Sequence, residues 1–283
     1  LTLEAFLRDY LALAWAPSSQ QVLVDGRAAT GPAQRLSKGA LVQVQAGAPP
    51  ASPLVPLLYE GPDFVVVDKP AGVAVQGGPR SLLDLLPPSL GPLTVVHRLD
   101  LPVSGVMVLG RGRGGALLDQ AFREGRLAKV YLAAVAVPFD AAELAQGQRL
   151  LTGPLKWTAL ERKAEVGPNG EPARTLLWPL TPTLALCRIF TGRTHQIRAH
   201  LAHQGHPILG DELYSQASQT LPFWATNRAR RIALHSLLLV LDLPPAPLVF
   251  LAPPGGDFLA LSGALPEGLE GAARTLAQAD NSF

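Results

Sequence analysis

Short apolar runs of strand length, each closed by a turn signal, recur along most of this chain and limit what it can fold into. Asp63-Phe64-Val65-Val66-Val67-Asp68 is one such run, and it stops at Lys69-Pro70-Ala71-Gly72. Thr94-Val95-Val96, Val106-Met107-Val108-Leu109, Val130 to Val137 and Leu184 to Phe190 are others. Two segments carry helical signals: Gly114 to Arg123, and Thr194 to Gln204 with Gly205 as its C-terminal stop. Hairpin-like spacing outnumbers strand–helix–strand units. The expected class is therefore α+β, with a mixed, largely antiparallel central sheet and flanking helices. From about Gly268 the chain turns Ala- and Gly-rich and reads as a frayed helix or a tail.

The first residues form a separate pattern. Leu3, Phe6, Leu7, Leu11 and Leu13 recur at roughly helical spacing. Gln21 to Gly26 reads as a strand entering a turn, and Leu41 to Val44 as a second strand. Ala48-Pro49-Pro50-Ala51-Ser52-Pro53 resists both helix and sheet, which places a boundary there. The expected organisation is a small N-terminal module over 1–47, a Pro-rich linker over 48–56, a main domain over 57–255 and a C-terminal extension over 256–283.

Composition narrows the class more than the partner. Hydrophobic residues make up 48% and charged residues 16% of the 283, enough for a core and against general disorder. The single Cys187 excludes an intrachain disulfide framework and fits a reducing cytosol, so a cytoplasmic protein is expected. The apolar stretch from Leu237 to Pro253 is cut by Asp242, Pro244, Pro245 and Pro247, so no membrane span is expected. Leu1-Thr2-Leu3-Glu4 lacks the basic start of a signal peptide, and the missing initiator Met implies a trimmed start. No heptad run demands a partner chain, and a monomer is expected. The formal charge is only +2. Arg greatly outnumbers Lys, which suits phosphate and base recognition. A GC-rich genome raises Ala, Gly, Pro, Leu and Arg together, so composition leaves the partner open.

Three segments could carry chemistry. His97-Arg98-Leu99-Asp100, followed by Ser104-Gly105, sits in a polar loop between apolar strands. Taken alone it also reads as a turn whose Asp satisfies backbone donors. Thr191-Gly192-Arg193-Thr194-His195-Gln196-Ile197-Arg198 continues to His200, His203 and His206. A zinc site is one reading of those histidines. No Cys or carboxylate falls inside the cluster, and His206 lies past Gly205, so Arg and His facing a phosphate or carboxylate is preferred. Ala128-Lys129-Val130-Tyr131-Leu132-Ala133 places a Tyr in an apolar strand, commonly a core position with its hydroxyl at an edge.

These segments, together with Leu58 to Gly72 and Ala233-Leu234-His235-Ser236, resemble in order and spacing the RluA-like RNA pseudouridine synthases. The resemblance runs from about Leu57 to about Pro253. Residues 1 to 47 are similar to a shortened α-L RNA-binding module, with its second helix abbreviated around Pro17 to Gln20. The resemblance implies a pseudouridine synthase fold with an active-site cleft. It implies isomerisation of a uridine in ribosomal or transfer RNA, with no cofactor and no metal. It implies Asp100 as the central catalytic carboxylate, acting as nucleophile or base. Arg198 would be its paired cation, holding it through two parallel hydrogen bonds. Tyr131 would stack on the base and help remove the carbon 5 proton. Ile197 would pack against the uracil, and Arg98 would insert into the RNA where the nucleotide leaves. Arg111, Arg113, Arg228, Arg230 and Arg231 are candidates for phosphate contact, a solvated face being the alternative for each. One departure is Val103, where the family commonly has Thr. The change removes a hydroxyl that could order the loop after Asp100.

Overall fold

A computed structural model describes residues 2, 20–31, 33–37, 39–46, 55–77, 80–215, 231–244 and 246–279. The helical pattern from Leu3 to Leu13, the Pro-rich linker segment, Arg228 and Arg230 lie outside the described residues. The chain is of the α+β class. Its strand pairing is mostly antiparallel, and Leu248–Leu251 runs parallel beside Val42–Ala46. It divides into two compact units. One takes the described residues up to Leu99 with Gly105–Leu127 and Leu238–Ala252; the other takes Asp100–Ser104, Ala128–Leu237 and the described residues from Pro253 onward.

In the first unit, the apolar run after Asp63 becomes the strand Phe64–Lys69, buried along nearly its whole length. It pairs with Leu57–Glu60 on one side. On the other it pairs with Gly105 to Gly110 of the strand Ser104–Arg111. Lys69 is fully buried, and its ammonium donates to the carbonyls of Pro70 at 2.9 Å and Val73 at 2.7 Å, so the strand ends by wrapping its own charge. The helix Gly114–Arg123 coincides with the sequence expectation. Its start requires glycine, because a Cβ on Gly114 would sit 1.4 Å from the Asp63 carbonyl oxygen. Leu118 and Ala121 face the core with Tyr59, Phe64, Val108 and Phe250. The rings of Tyr59 and Phe64 lie 4.9 Å apart. Each such apolar side chain contributes roughly 1.5–3 kcal/mol on burial. His97 has a structural task here: its Nε2 accepts from the Val108 amide at 3.1 Å.

In the second unit, Leu127–Ala134 and Leu184–Ile189 form an antiparallel pair in which every residue is buried, and Thr175–Pro179 and Arg149–Leu151 extend it. The strand begins three residues before the expected Val130 and ends before Val135, which instead bridges Ile208. A separate hairpin joins Leu155–Thr158 to Lys163–Val166. The helix expected over Thr194 to Gln204 spans Gln196–His203. His195 has φ 57°, left-handed and incompatible with a helical turn. The Gln196 side chain closes the loop before it, accepting from the Thr191 hydroxyl at 2.7 Å and the Arg193 amide at 3.1 Å. Gly205, with φ 87°, ends the segment as expected. Of the two readings of the Ala-rich end, helix or tail, the structure has the helix, packed rather than frayed. It is the helix Leu269–Gln278, with Ala273, Leu276 and Ala277 buried. The Arg188 guanidinium donates to the carbonyls of Leu276 and Ala279, satisfying its C-terminal turn. Among the described residues, no helix is long and apolar enough to cross a membrane.

Candidate active site

The second unit gathers Asp100, Tyr131 and Arg198. Asp100 sits in a short turn closed by the Val103 amide, which donates to the Asp100 carbonyl at 3.0 Å. Val103 is buried, so the position that lacks the expected hydroxyl is an apolar anchor for this turn. Arg198 projects from the helix Gln196–His203, and its Nη1 donates to Asp100 Oδ2 at 3.1 Å. The two-pronged grip expected on Asp100 falls elsewhere. Arg198 Nε and Nη2 hold Asp211 at 2.6 and 2.8 Å. Asp211 takes the side-on fork of the guanidinium, and Asp100 receives a single hydrogen bond from Nη1. The Asp211 side chain is 1% exposed, against 19% for Asp100. Asp211 is thus the buried anchor and Asp100 the carboxylate that faces outward. Burial opposes the Arg198 charge, but hydrogen bonds and charge from Asp211, then from Asp100, outweigh it and raise its pKa above the ordinary guanidinium value.

Tyr131 lies on the buried strand Leu127–Ala134, opposite Cys187. Burial raises its pKa well above 10, the Asp100 charge raises it further, and a hydrogen bond with Ser236 partly opposes them. Lys129, two residues earlier and on the same strand face, is lowered from 10.5 to about 8 by burial. The Ala233 to Ser236 segment has two tasks. Ser236 bonds Tyr131, and His235 Nδ1 meets the Ser104 hydroxyl at 2.8 Å.

His195 completes the group. Its Nε2 lies 3.7 Å from Asp100 Oδ2, and its Nδ1 lies 3.1 Å from the Tyr214 hydroxyl. That hydroxyl also accepts from the Ala164 amide at 2.7 Å. The Arg198 guanidinium also lies over the Tyr214 ring, 5.0 Å from its centroid.

The other expected residues distribute as follows. Ile197 is buried on the same helix as Arg198. Arg98 is exposed and belongs to the first unit. Arg231 is no surface cation. It is buried, paired with Asp257 and bonded to the Ser104 hydroxyl at 2.7 Å, so its donors are consumed inside the fold. Arg111 is engaged by Glu60 at 3.2 Å, and Arg113 is exposed. The histidines go to separate partners. His200 bonds Thr175 and the Gly153 carbonyl, both at 2.8 Å, and burial lowers its pKa against the Gly153 bond. His206 bonds the Val137 carbonyl and Glu143, both at 2.9 Å. Among the described residues, no group of three or more His, Cys, Asp or Glu is placed to hold a metal ion. Ser236 belongs to the Ala233–Ser236 segment that carries the resemblance, whereas Asp211 and Tyr214 lie outside every segment the sequence marks. The pair Gly210-Asp211 with Tyr214 three residues on is the only local signal they carry.

Comparison with known proteins points one way. The family model of RNA pseudouridylate synthase matches residues 63–203. The ribosomal large subunit pseudouridine synthase C of Buchnera aphidicola is 33% identical over 191 residues, covering 64% of this chain and 60% of that protein. Its namesake from Escherichia coli strain K12 is 31% identical over 226 residues, covering 76% of this chain and 67% of that one. The chain spans about 60% of the length of the first curated relatives it matches. The solved structure of human RNA Pseudouridylate Synthase Domain Containing 1 superposes with a TM-score of 0.65 at 22% identity, covering 82% of this chain and 98% of that one.

Proposed function

The chain belongs to the RNA pseudouridylate synthase family, and from that premise we propose that it isomerises specific uridines of large-subunit ribosomal RNA to pseudouridine, with Asp100 carrying the chemistry. The observation that supports this most is the chain of charge Asp100–Arg198–Asp211 beside the buried Tyr131. A pure RNA binder has no use for an outward carboxylate held at one oxygen by a cation that is itself anchored from behind. The ribosomal target is taken from the names of the relatives, and transfer RNA is the alternative substrate. Residues 1–47 are the accompanying RNA-binding module and 57–255 the catalytic domain in this reading. The protein works as a cytoplasmic monomer.

The reaction breaks the bond from N1 to the ribose, turns the uracil and rejoins it through carbon 5. The carbon 5 proton is released and N1 gains one, so atoms and electrons balance without a redox partner or cofactor. Among the described residues, the contacts of Asp100 with Arg198 and His195 both fall on Oδ2, which leaves Oδ1 to meet the sugar. Tyr131 holds its proton in the resting site, since burial and the Asp100 charge both favour the neutral phenol. It therefore serves first as an aromatic wall with a hydroxyl donor. If Asp100 attacks the anomeric carbon, its negative charge is lost in the ester and one cause of the raised Tyr131 pKa vanishes. Burial, the larger cause, persists, so Tyr131 can take the carbon 5 proton only as its own phenolic proton passes to another base, the N1 that gains one, and it ends neutral. Extrusion of the uridine costs a few kcal/mol, recovered from phosphate contact and stacking. Incubation of the purified protein with unmodified large-subunit ribosomal RNA, and separately with transfer RNA, followed by pseudouridine mapping, tests the proposal. Discrete new pseudouridines in ribosomal RNA are expected; their absence from both RNAs refutes it.

A further inference from the structure

The hairpin Leu155–Thr158 with Lys163–Val166 carries an aromatic ring that neither the core nor the catalytic group accounts for. In its register Leu155 faces Val166 and Trp157 faces Ala164, so these four share one side. Leu155 and Ala164 are buried in a small core with Ala173 and Ala199, against which Val166 and Tyr214 pack. Trp157 continues that side past the edge of the core. Its ring and that of His195 are T-shaped, centroids 5.4 Å apart, yet 46% of Trp157 remains exposed. His195 is the residue whose Nε2 lies 3.7 Å from Asp100. A half-exposed indole is therefore placed one residue away from the catalytic carboxylate.

Charge on the hairpin favours a nucleic acid there. Its carboxylates, Glu161 and Glu165, are both taken by Lys163 at 2.5 and 3.0 Å. Arg162, in the turn between the two strands, is exposed and supplies positive charge there, while Lys156 faces Glu165 on the other side. A scattered exposed hydrophobic residue needs no explanation, but a half-open Trp beside a catalytic carboxylate does. A role confined to bracing His195 would be better served by a fully covered ring.

We propose that Trp157 is a base-stacking residue of the substrate site, holding a nucleotide that flanks the extruded uridine, while Arg162 at the turn of the hairpin lies along the adjoining phosphates. The inference rests on the reading of the chain as an RNA pseudouridine synthase. It adds a determinant of which sequence context around the target is accepted, since stacking strength differs among bases.

The test is single-turnover pseudouridine formation on unmodified large-subunit ribosomal RNA, then on a short stem-loop carrying the mapped uridine, over a range of enzyme concentrations. Trp157→Ala is expected to raise the half-saturating enzyme concentration between about fivefold and about a hundredfold, the span of base–aromatic stacking. The saturated rate stays within about threefold, and Trp157→Phe retains most of the affinity because the ring is kept. An abasic nucleotide at one flanking position weakens the wild type and makes no further difference to Trp157→Ala. The inference is overturned if Trp157→Ala leaves the half-saturating concentration unchanged, if its whole effect is on the saturated rate, or if every abasic position weakens both proteins equally. A wild type that modifies neither RNA overturns the functional reading, and this inference with it. A modifying wild type with an unaffected Trp157→Ala overturns this inference alone.

Discussion

Asp211→Ala probes the least expected part of the site. Two short hydrogen bonds join its carboxylate to the Arg198 guanidinium, at 2.6 and 2.8 Å, and both side chains are nearly inaccessible, at 1% and 7% exposure. Removing one member of such a buried pair strands the other charge, at a cost of about 3–5 kcal/mol. For a protein of this size each kcal/mol lowers the melting temperature by about 2–4 °C, so a fall of about 6–20 °C is expected. The fork released from Asp211 also loses the direction that aims Nη1 at Asp100. A displacement near 1 Å at a reacting group costs roughly a hundredfold in rate, which sets the expected loss in single-turnover pseudouridine formation. Thermal and urea unfolding followed by circular dichroism measure the first effect. The double variant Arg198→Met with Asp211→Leu separates charge burial from packing. With no charge left stranded, it is expected to recover much of the stability while remaining inactive. If Asp211→Ala melts within about 2 °C of wild type and keeps its rate, the anchoring of Arg198 from behind is wrong.

Two further expectations test other parts of the molecule. Burial depresses the Lys129 ammonium from 10.5 to about 8, so the unfolded chain binds the extra proton between those values. Stability contributed by this group is therefore present above about pH 10.5 and lost as pH falls through about 8. Lys129→Met is expected to flatten the rise in urea midpoint between pH 7 and pH 10 relative to wild type; parallel profiles would contradict it. Gly114→Ala forces a Cβ onto the Asp63 carbonyl and is expected to cost about 3 kcal/mol or more. Gly256→Ala, where nothing lies within 4 Å, is expected to stay within about 0.5 kcal/mol of wild type in the same unfolding assay.

The strands were legible because buried runs such as Phe64–Lys69 and Leu184–Ile189 leave a continuous apolar mark, and Gly114–Arg123 kept its expected ends. Boundaries failed where a side chain rather than a propensity set them. The Gln196 amide and the left-handed His195 cost the Arg198 helix its first expected residues, and no periodicity announces that. Asp100 and Arg198 stand 98 residues apart, so their meeting was readable only through resemblance of motifs. Asp211 escaped because an isolated Asp after Gly reads as a turn residue until the fold brings it to Arg198. Arg231 misled in the opposite direction. A cation looks solvated in sequence, and only the fold reveals that Asp257 and Ser104 enclose it.

The most direct measurement is pseudouridine formation by Asp100→Asn on unmodified large-subunit ribosomal RNA. The amide keeps the size of the carboxylate and an oxygen for Arg198, so an unchanged unfolding profile and retained RNA binding are expected alongside it. No pseudouridine above background is the outcome that agrees with Asp100 as the reacting group. Isomer formation by Asp100→Asn at the wild-type rate would contradict it.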